Sequence, residues 1–439
     1  MNLLYSRIAR LKPHQRPAVD VLCFLILMGV ALLAGCKKNR DQIRAGKVVG
    51  GSMAPSFLGQ HLFFECRGCH STVSTDLEQS NQREHLICPY CGTLTERNSC
   101  AKRPADAVEI AIGSPIERWD VVAFQVPGLD ESGIKRVVGL PGEKIEIRDG
   151  NIFADGRLLQ KPIAAQRQMR ILIHDSARTD LESPRWFPVN PDQSFEFNQE
   201  GSFQFGDLAD EEGGIGWVEY RHQRCYSRRT DRVPESDLVP IEDVYGYNQS
   251  IARDLNPVSD LIIELEVVPA SKRQVCWLIS HRFGEFVFTV DFDKRRLRVS
   301  NSGRPETIVE MDESSLALPV MRIECSCFDH QFLVLVNGKT VSQFPIEQPR
   351  QERADTEIRS TRLQVGSRGS LTINRIRIWR DLHYLAADGM PGSTQLFNTT
   401  TDGYVLLGDN IPISVDSRHW ETATVSGQQI IGRILQKTE

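Results

Sequence analysis

The chain has 439 residues, 11 cysteines and a formal net charge of -5 from 52 basic and 57 acidic side chains. That length exceeds one ordinary core and points to two or three domains. The charge balance leaves no basic face for a nucleic-acid partner, and the cysteines are too sparse for a disulfide-rich secreted scaffold.

At the N-terminus Arg7, Arg10, Lys12 and Arg16 precede an apolar stretch from Ala18 to Gly35 that only Asp20 interrupts. About 18 helical residues span roughly 27 Å, close to the roughly 30 Å of a bilayer core. Residues 1–40 are therefore expected to form a cytoplasmic segment and a single-pass membrane anchor, with its helix at 18–35. The leading cations favour a catalytic body on the exoplasmic side, although Lys37, Lys38 and Arg40 beyond the span oppose them. A cleaved secretory signal and a lipoprotein signal ending at Cys36 are the other readings. All three place the body outside the cytoplasm.

A short polar connector leads into Gly50-Gly51-Ser52-Met53-Ala54-Pro55. Two paired-cysteine knuckles follow, Cys66-Arg67-Gly68-Cys69 and Cys88-Pro89-Tyr90-Cys91. From Val108 to Leu159 short strand-like runs alternate with turn signals, and Asp149-Gly150 and Asp155-Gly156 predict successive hairpins. From about Arg170 to Tyr384 many short alternating runs, such as DLIIELEVV and HQFLVLVNGKTV, predict a β-sandwich or jelly roll. The last stretch, GYVLLGDNIPISVDSRHW onward, returns to the manner of the first β region, so the sandwich reads as an insertion. The seams fall at Lys161 to Gln168 and Ala386 to Ser393.

Ser52 and Lys135 are the candidates for chemistry. A serine hydroxyl needs a base, and a lysine serves as one only when burial away from carboxylates lowers its pKa from about 10.4 by several units. Lys135 lies in Ile134-Lys135-Arg136-Val137-Val138-Gly139, a strand-forming run in which Lys135 and Arg136 face opposite ways.

Taken in order, the Ser52 segment, Asp120 to Phe124, Lys135 to Gly142, and Gly408-Asp409-Asn410 through Ser414, Asp416, Ser417 and Arg418 closely resemble the motif boxes of the signal peptidase I family. The resemblance covers the anchor and roughly 42–60, 105–160 and 395–435. It implies a Ser/Lys-dyad serine endopeptidase that removes signal peptides from exported pre-proteins at the membrane surface, without a cofactor for catalysis. Ser52 is implied as nucleophile and Lys135 as general base. Ser414 is implied to orient the lysine, and Asp416 with Arg418 to brace the site. Asp409, Asn410 and Arg136 are implied as support. The Ser52 N–H is the expected oxyanion donor. This chain departs from the family at Gly50, where many members carry a hydroxyl that donates a second hydrogen bond, and at Ile411, where a basic residue is common.

The cysteine pairs Cys66, Cys69, Cys88 and Cys91 match a zinc ribbon, four thiolates on two tight turns forming a closed structural site. In an oxidising compartment disulfides are the alternative. The insert resembles a concanavalin-like or laminin G-like sandwich, a spacer or a docking surface for a glycan or protein ligand. The expected architecture is mainly β: a signal peptidase I-like catalytic core (41–60, 104–165 and 389–439), a zinc-ribbon-like insert (61–103), a sandwich insert (168–388), and one N-terminal transmembrane helix. The rival reading is a catalytically degenerate, membrane-anchored envelope protein that binds through the sandwich, a reading that Gly50 keeps open.

Overall fold

A computed structural model describes residues 42–438 except 127–130, 179–183, 191–194, 207–213, 224, 226–238, 250, 252, 270–272, 282, 302–304, 317, 347–361 and 391. The expected anchor at 18–35 and Cys36 lie outside these residues. Among the described residues no helix is long and apolar enough to cross a membrane. The chain is mainly β, with one short α-helix at Ile163–Gln168 among the described elements.

The sheet that carries the candidate chemistry has seven strands in the order Gln42–Lys47, Ala107–Ile112, Ile430–Thr438, Val121–Gln125, Ser132–Gly139, Gly403–Leu407 and Val425–Ser426. Segments from both ends of the sequence thus meet in one sheet. Val122 pairs with Lys135, and Leu407 pairs with Arg136. Gly408-Asp409-Asn410 therefore begins directly beside the lysine strand.

A second sheet is built from Lys144–Arg148, Asn151–Ala154, Arg157–Leu158 and Thr394–Asn398. Its hairpins form where the Asp-Gly pairs predict. Asp149 and Gly150 have φ of 49° and 81°, and Asp155 and Gly156 have 50° and 76°, the positive values that a two-residue turn matched to strand twist requires. In Lys144–Arg148 only Ile145 and Ile147 are buried, the period of two that gives a strand one apolar face. They enter a core with Trp119, Val138, Tyr384, Phe397 and Val405, which Tyr245 also joins.

Between Arg170 and Asp381 two further sheets face each other. One contains Leu261–Val268, Met321–Phe328, Gln331–Val336 and Leu371–Asp381; the other contains Gln274–His281, Gly284–Asp291 and Leu363–Arg368. Trp277 stacks on Phe288 at 5.1 Å, and Phe332 meets Phe288 edge-on at 5.1 Å. These rings join one continuous apolar layer with Ile263, Leu265, Val334, Val365 and Ile376.

Candidate active site and cysteine cluster

Ser52 sits on the turn that follows the strand Gln42–Lys47. Met53 is buried among Val48, Val108, Val121 and Ile434, which pins the turn to the sheet. Ser52 itself stays half-buried. On the lysine strand of that sheet Lys135 is buried, and its Nζ lies 2.7 Å from Ser52 Oγ. Burial pushes the Lys135 ammonium down to about 8; Asp416 and Asp409 partly oppose that fall, while Arg418 adds to it. Among the described residues no carboxylate lies within ion-pair distance of Lys135.

Arg136 points the other way along the pleat and is also buried, because that face is covered as well. Its Nε and Nη2 donate to the two oxygens of Asp409 at 2.8 and 2.6 Å, and its Nη1 donates to Trp119 O at 2.7 Å. A planar guanidinium on both carboxylate oxygens fixes the loop after Leu407 to the lysine strand. Asp416 and Arg418 form the second such pair, with Nε and Nη2 each 2.8 Å from a carboxylate oxygen. Asp416 also accepts from the Gly408 N–H at 2.9 Å; the His419 side chain, then Arg418 and that N–H, hold its carboxyl well below the usual range despite burial.

Asn410 reaches the Ser52 turn. Its Nδ2 donates to Gly51 O at 2.9 Å and its backbone N–H to Ser52 O at 3.0 Å. Ile411, where the family resemblance suggests a basic residue, is buried in the core, and its carbonyl accepts from Arg418 Nη2 at 3.1 Å. Arg418 thus supplies a cationic contact at that corner.

One implied contact is absent. The hydrogen bond from Ser414 to Lys135 is not formed: among the described residues Ser414 Oγ, though buried, has no hydrogen-bond partner. The reason is packing. Ser414 Oγ lies 2.1 Å, and Ser52 O 2.6 Å, from where a Cβ on Gly408 would stand. Ser414 therefore fills the space left by Gly408 behind the Ser52 turn, and Lys135 Nζ donates to Ser52 Oγ.

Sequence reasoning missed Tyr245, Tyr247 and Asn248, which fall within the stretch read as sandwich. Tyr245 OH donates to Asp409 O at 2.9 Å. Asn248 and Asn410 exchange two amide hydrogen bonds, of 2.7 and 2.9 Å. Tyr247 Cε1 lies 2.6 Å from where a Cβ on Gly51 would stand, so the approach depends on glycine there. The only sequence signal was an irregular stretch, Tyr245-Gly246-Tyr247-Asn248-Gln249, too aromatic for an ordinary surface loop.

Cys66, Cys69, Cys88 and Cys91 bring their sulfurs within 4.8 Å of one another. Cys66 and Cys91 are 3.4 Å apart, and Cys69 and Cys88 are 3.6 Å apart, far beyond the roughly 2.05 Å of a disulfide. Tetrahedral zinc at about 2.3 Å from each sulfur requires separations of roughly 3.8 Å. The Cys66 and Cys88 carbonyls accept from the His70 and Gly92 N–H groups at 2.9 Å each, forming the two tight turns that present the thiols.

Residues 38–205 match the family model described as signal peptidase, peptidase S26, which supports a relationship to that peptidase family. The matched span includes Ser52 and Lys135 but ends before Gly408. No curated protein matches the sequence. Among solved structures, an endo-1,3-beta-glucanase from Streptomyces sioyaensis is 7% identical over 50% of this chain and 98% of its own, with a TM-score of 0.31. SCLam, an endo-beta-1,3(4)-glucanase, is 9% identical over 56% and 97%, with a TM-score of 0.31. The carbohydrate binding module CBM66 from Bacillus subtilis is 10% identical over 46% and 94%, with a TM-score of 0.24. Likenesses this distant assign no ligand to the chain.

Proposed function

We propose that the chain is a signal peptidase of the Ser/Lys type, held at the exoplasmic face of a membrane by residues 1–40, which cleaves signal peptides from exported pre-proteins after small side chains at the -1 and -3 positions. The observation that carries this reading is the 2.7 Å approach of Lys135 Nζ to Ser52 Oγ in a buried setting with no carboxylate paired to the amine. Neutral Lys135 takes the proton of Ser52 as Oγ attacks the scissile carbonyl carbon, and passes it to the departing amine nitrogen as the C–N bond breaks. Water then attacks the resulting ester, gives a proton to Lys135 and releases the acid, and Oγ recovers its proton. Among the described residues the Ser52 N–H has no acceptor, which leaves it free to bind the oxyanion. We assign Asp409 with Arg136, and Asp416 with Arg418, to holding the loop that supports Ser52. We further propose structural zinc at Cys66, Cys69, Cys88 and Cys91, a closed set that supplies no step of the reaction.

Full-length chain in membranes, given a pre-protein with an A-x-A site, should cleave it, and Ser52→Ala and Lys135→Ala should each lose about 10⁴-fold or more of the rate. Below pH 8, kcat/KM should climb about tenfold per pH unit and level off above it, as Lys135 loses its proton. Equal cleavage by all three chains, or none by any, would instead favour an envelope protein that binds through its sandwich.

A further inference from the structure

We propose that the four-cysteine module sets the position of Ser52 through residues 245–249, so that zinc in the module is required for full turnover by the dyad. This rests on the peptidase reading above and adds a control to it. The module and the nucleophile have no motif in common; what joins them is a short segment that leaves the sandwich, crosses the site and grips both.

On the module side the grip falls on the two neighbours of Cys88. The Gln249 side-chain amide pairs with Ile87 in both directions, accepting from its N–H at 3.0 Å and donating to its carbonyl at 3.1 Å. Gly246 lies against Pro89, whose Cγ stands 2.7 Å from where a Cβ on that glycine would be. The Tyr247 carbonyl accepts from the Asp76 N–H at 3.1 Å and from Thr75 Oγ1 at 2.9 Å, on the strand that follows the first knuckle. On the catalytic side the Asn248 amide is locked to Asn410, which holds Gly51 O and Ser52 O. Apart from the packing of Gly246 on Pro89, each link is a hydrogen bond between buried or half-buried groups, and the links run without a break from the flank of Cys88 to Ser52.

A module whose core is a handful of side chains around four sulfurs depends on its metal for order. Without the ion the hairpin of His85–Ile87 with Leu94–Glu96 loosens, and Gln249 loses its partner. Asn248 then no longer fixes Asn410. An error of about 1 Å in the reacting hydroxyl is enough to cost about 100-fold in rate.

The test uses the full-length chain in detergent, with kcat and KM measured on a pre-protein alongside zinc content and amide hydrogen exchange over residues 50–58. Stripping zinc with a chelator should lower kcat about 10- to 100-fold, leave KM nearly unchanged and speed exchange over 50–58. Asn248→Ala should keep its zinc, since Asn248 touches no cysteine, yet show the same fall in kcat and the same faster exchange. Removing zinc from Asn248→Ala should add little, because both changes break one pathway. A wild-type chain that loses its zinc and keeps its kcat overturns the proposal while leaving the peptidase reading intact. So does Asn248→Ala with wild-type kcat. A chain that cleaves nothing in any form overturns the peptidase reading and the coupling with it.

Discussion

The seven-stranded sheet and the seam between the second sheet and the sandwich each bury one lysine, and the two are handled in opposite ways. Lys135 is 6% exposed and Lys161 is 5% exposed. Lys135 meets a neutral hydroxyl, and burial pushes its ammonium down to about 8. Lys161 Nζ lies 2.5 Å from Asp329 Oδ1 and 2.8 Å from Asp381 Oδ2, and its own N–H donates to Asp329 Oδ2 at 2.8 Å. Asp260 completes a group of three carboxylates whose oxygens gather within 4.8 Å. Burial opposes the charge on Lys161 as well, but the carboxylates outweigh it and raise its pKa. Burial beside a neutral hydroxyl therefore lowers a lysine's pKa, and burial between carboxylates raises it and makes a clasp. The ammonium of Lys161 stands where a cation would otherwise be needed to hold Asp329 and Asp381 together, and it ties the hairpins of the second sheet to the sandwich.

Lys161→Met breaks the clasp and should have the larger effect on stability. It leaves Asp329 buried without its counter-charge beside Asp381, whose carboxyl burial already pushes up to about 8, and removing one partner of a buried pair costs about 3–5 kcal/mol. Chemical denaturation at pH 7 should show the sandwich signal moving to lower denaturant. If Lys161→Met unfolds at the wild-type midpoint, the seam is held by its apolar contacts and the comparison between the two lysines fails.

Lys135→Met sharpens the same comparison from the other side. Between pH about 8 and about 10.4 the unfolded chain keeps a proton on this lysine that the folded chain has lost, so stability rises with pH across that window. Below it, the buried ammonium costs about 3 kcal/mol. Lys135→Met should thus be the more stable chain at pH 7, with its advantage shrinking as pH rises from about 8 to about 10.4. A difference that stays flat over this range would mean that Lys135 titrates like an exposed lysine, and no base would be available to Ser52.

The parts of the site that were legible in the sequence are those that chemistry compresses into short runs. Ser52 with its glycines, Lys135 in its strand, and Gly408 to Arg418 each read as a word, because neighbouring residues share one task. The cysteine pairs were legible for the same reason. The Asp-Gly hairpins could be read because a turn is a local matter. What could not be read is long-range pairing between groups with no periodic or spacing signal. Asn248 meets Asn410 across most of a domain, and Lys161, Asp329 and Asp381 come from three distant stretches. Ser414 shows the other limit: its place in the motif was visible, but its close packing on Gly408 with the hydroxyl unpartnered depends on packing alone.

Gly50 carries the smallest expected effect and the most direct test of the departure seen in the sequence. Its φ is 73°, in the left-handed region, and no atom lies within 4 Å of where a Cβ would stand. Gly50→Ser therefore meets no steric block, and the backbone alone opposes it, by about 1–2 kcal/mol. This φ is one that the hydroxyl residue of the family pattern rarely adopts, so the turn is not set up for that second oxyanion donor. Turnover of Gly50→Ser should stay within about twofold of wild type while its melting temperature falls by a few degrees. If turnover instead rises by about 100-fold or more, the amount that one oxyanion donor supplies, the turn at Gly50 must rearrange when a side chain is added. The single N–H of Ser52 would then be what limits turnover in the wild-type chain.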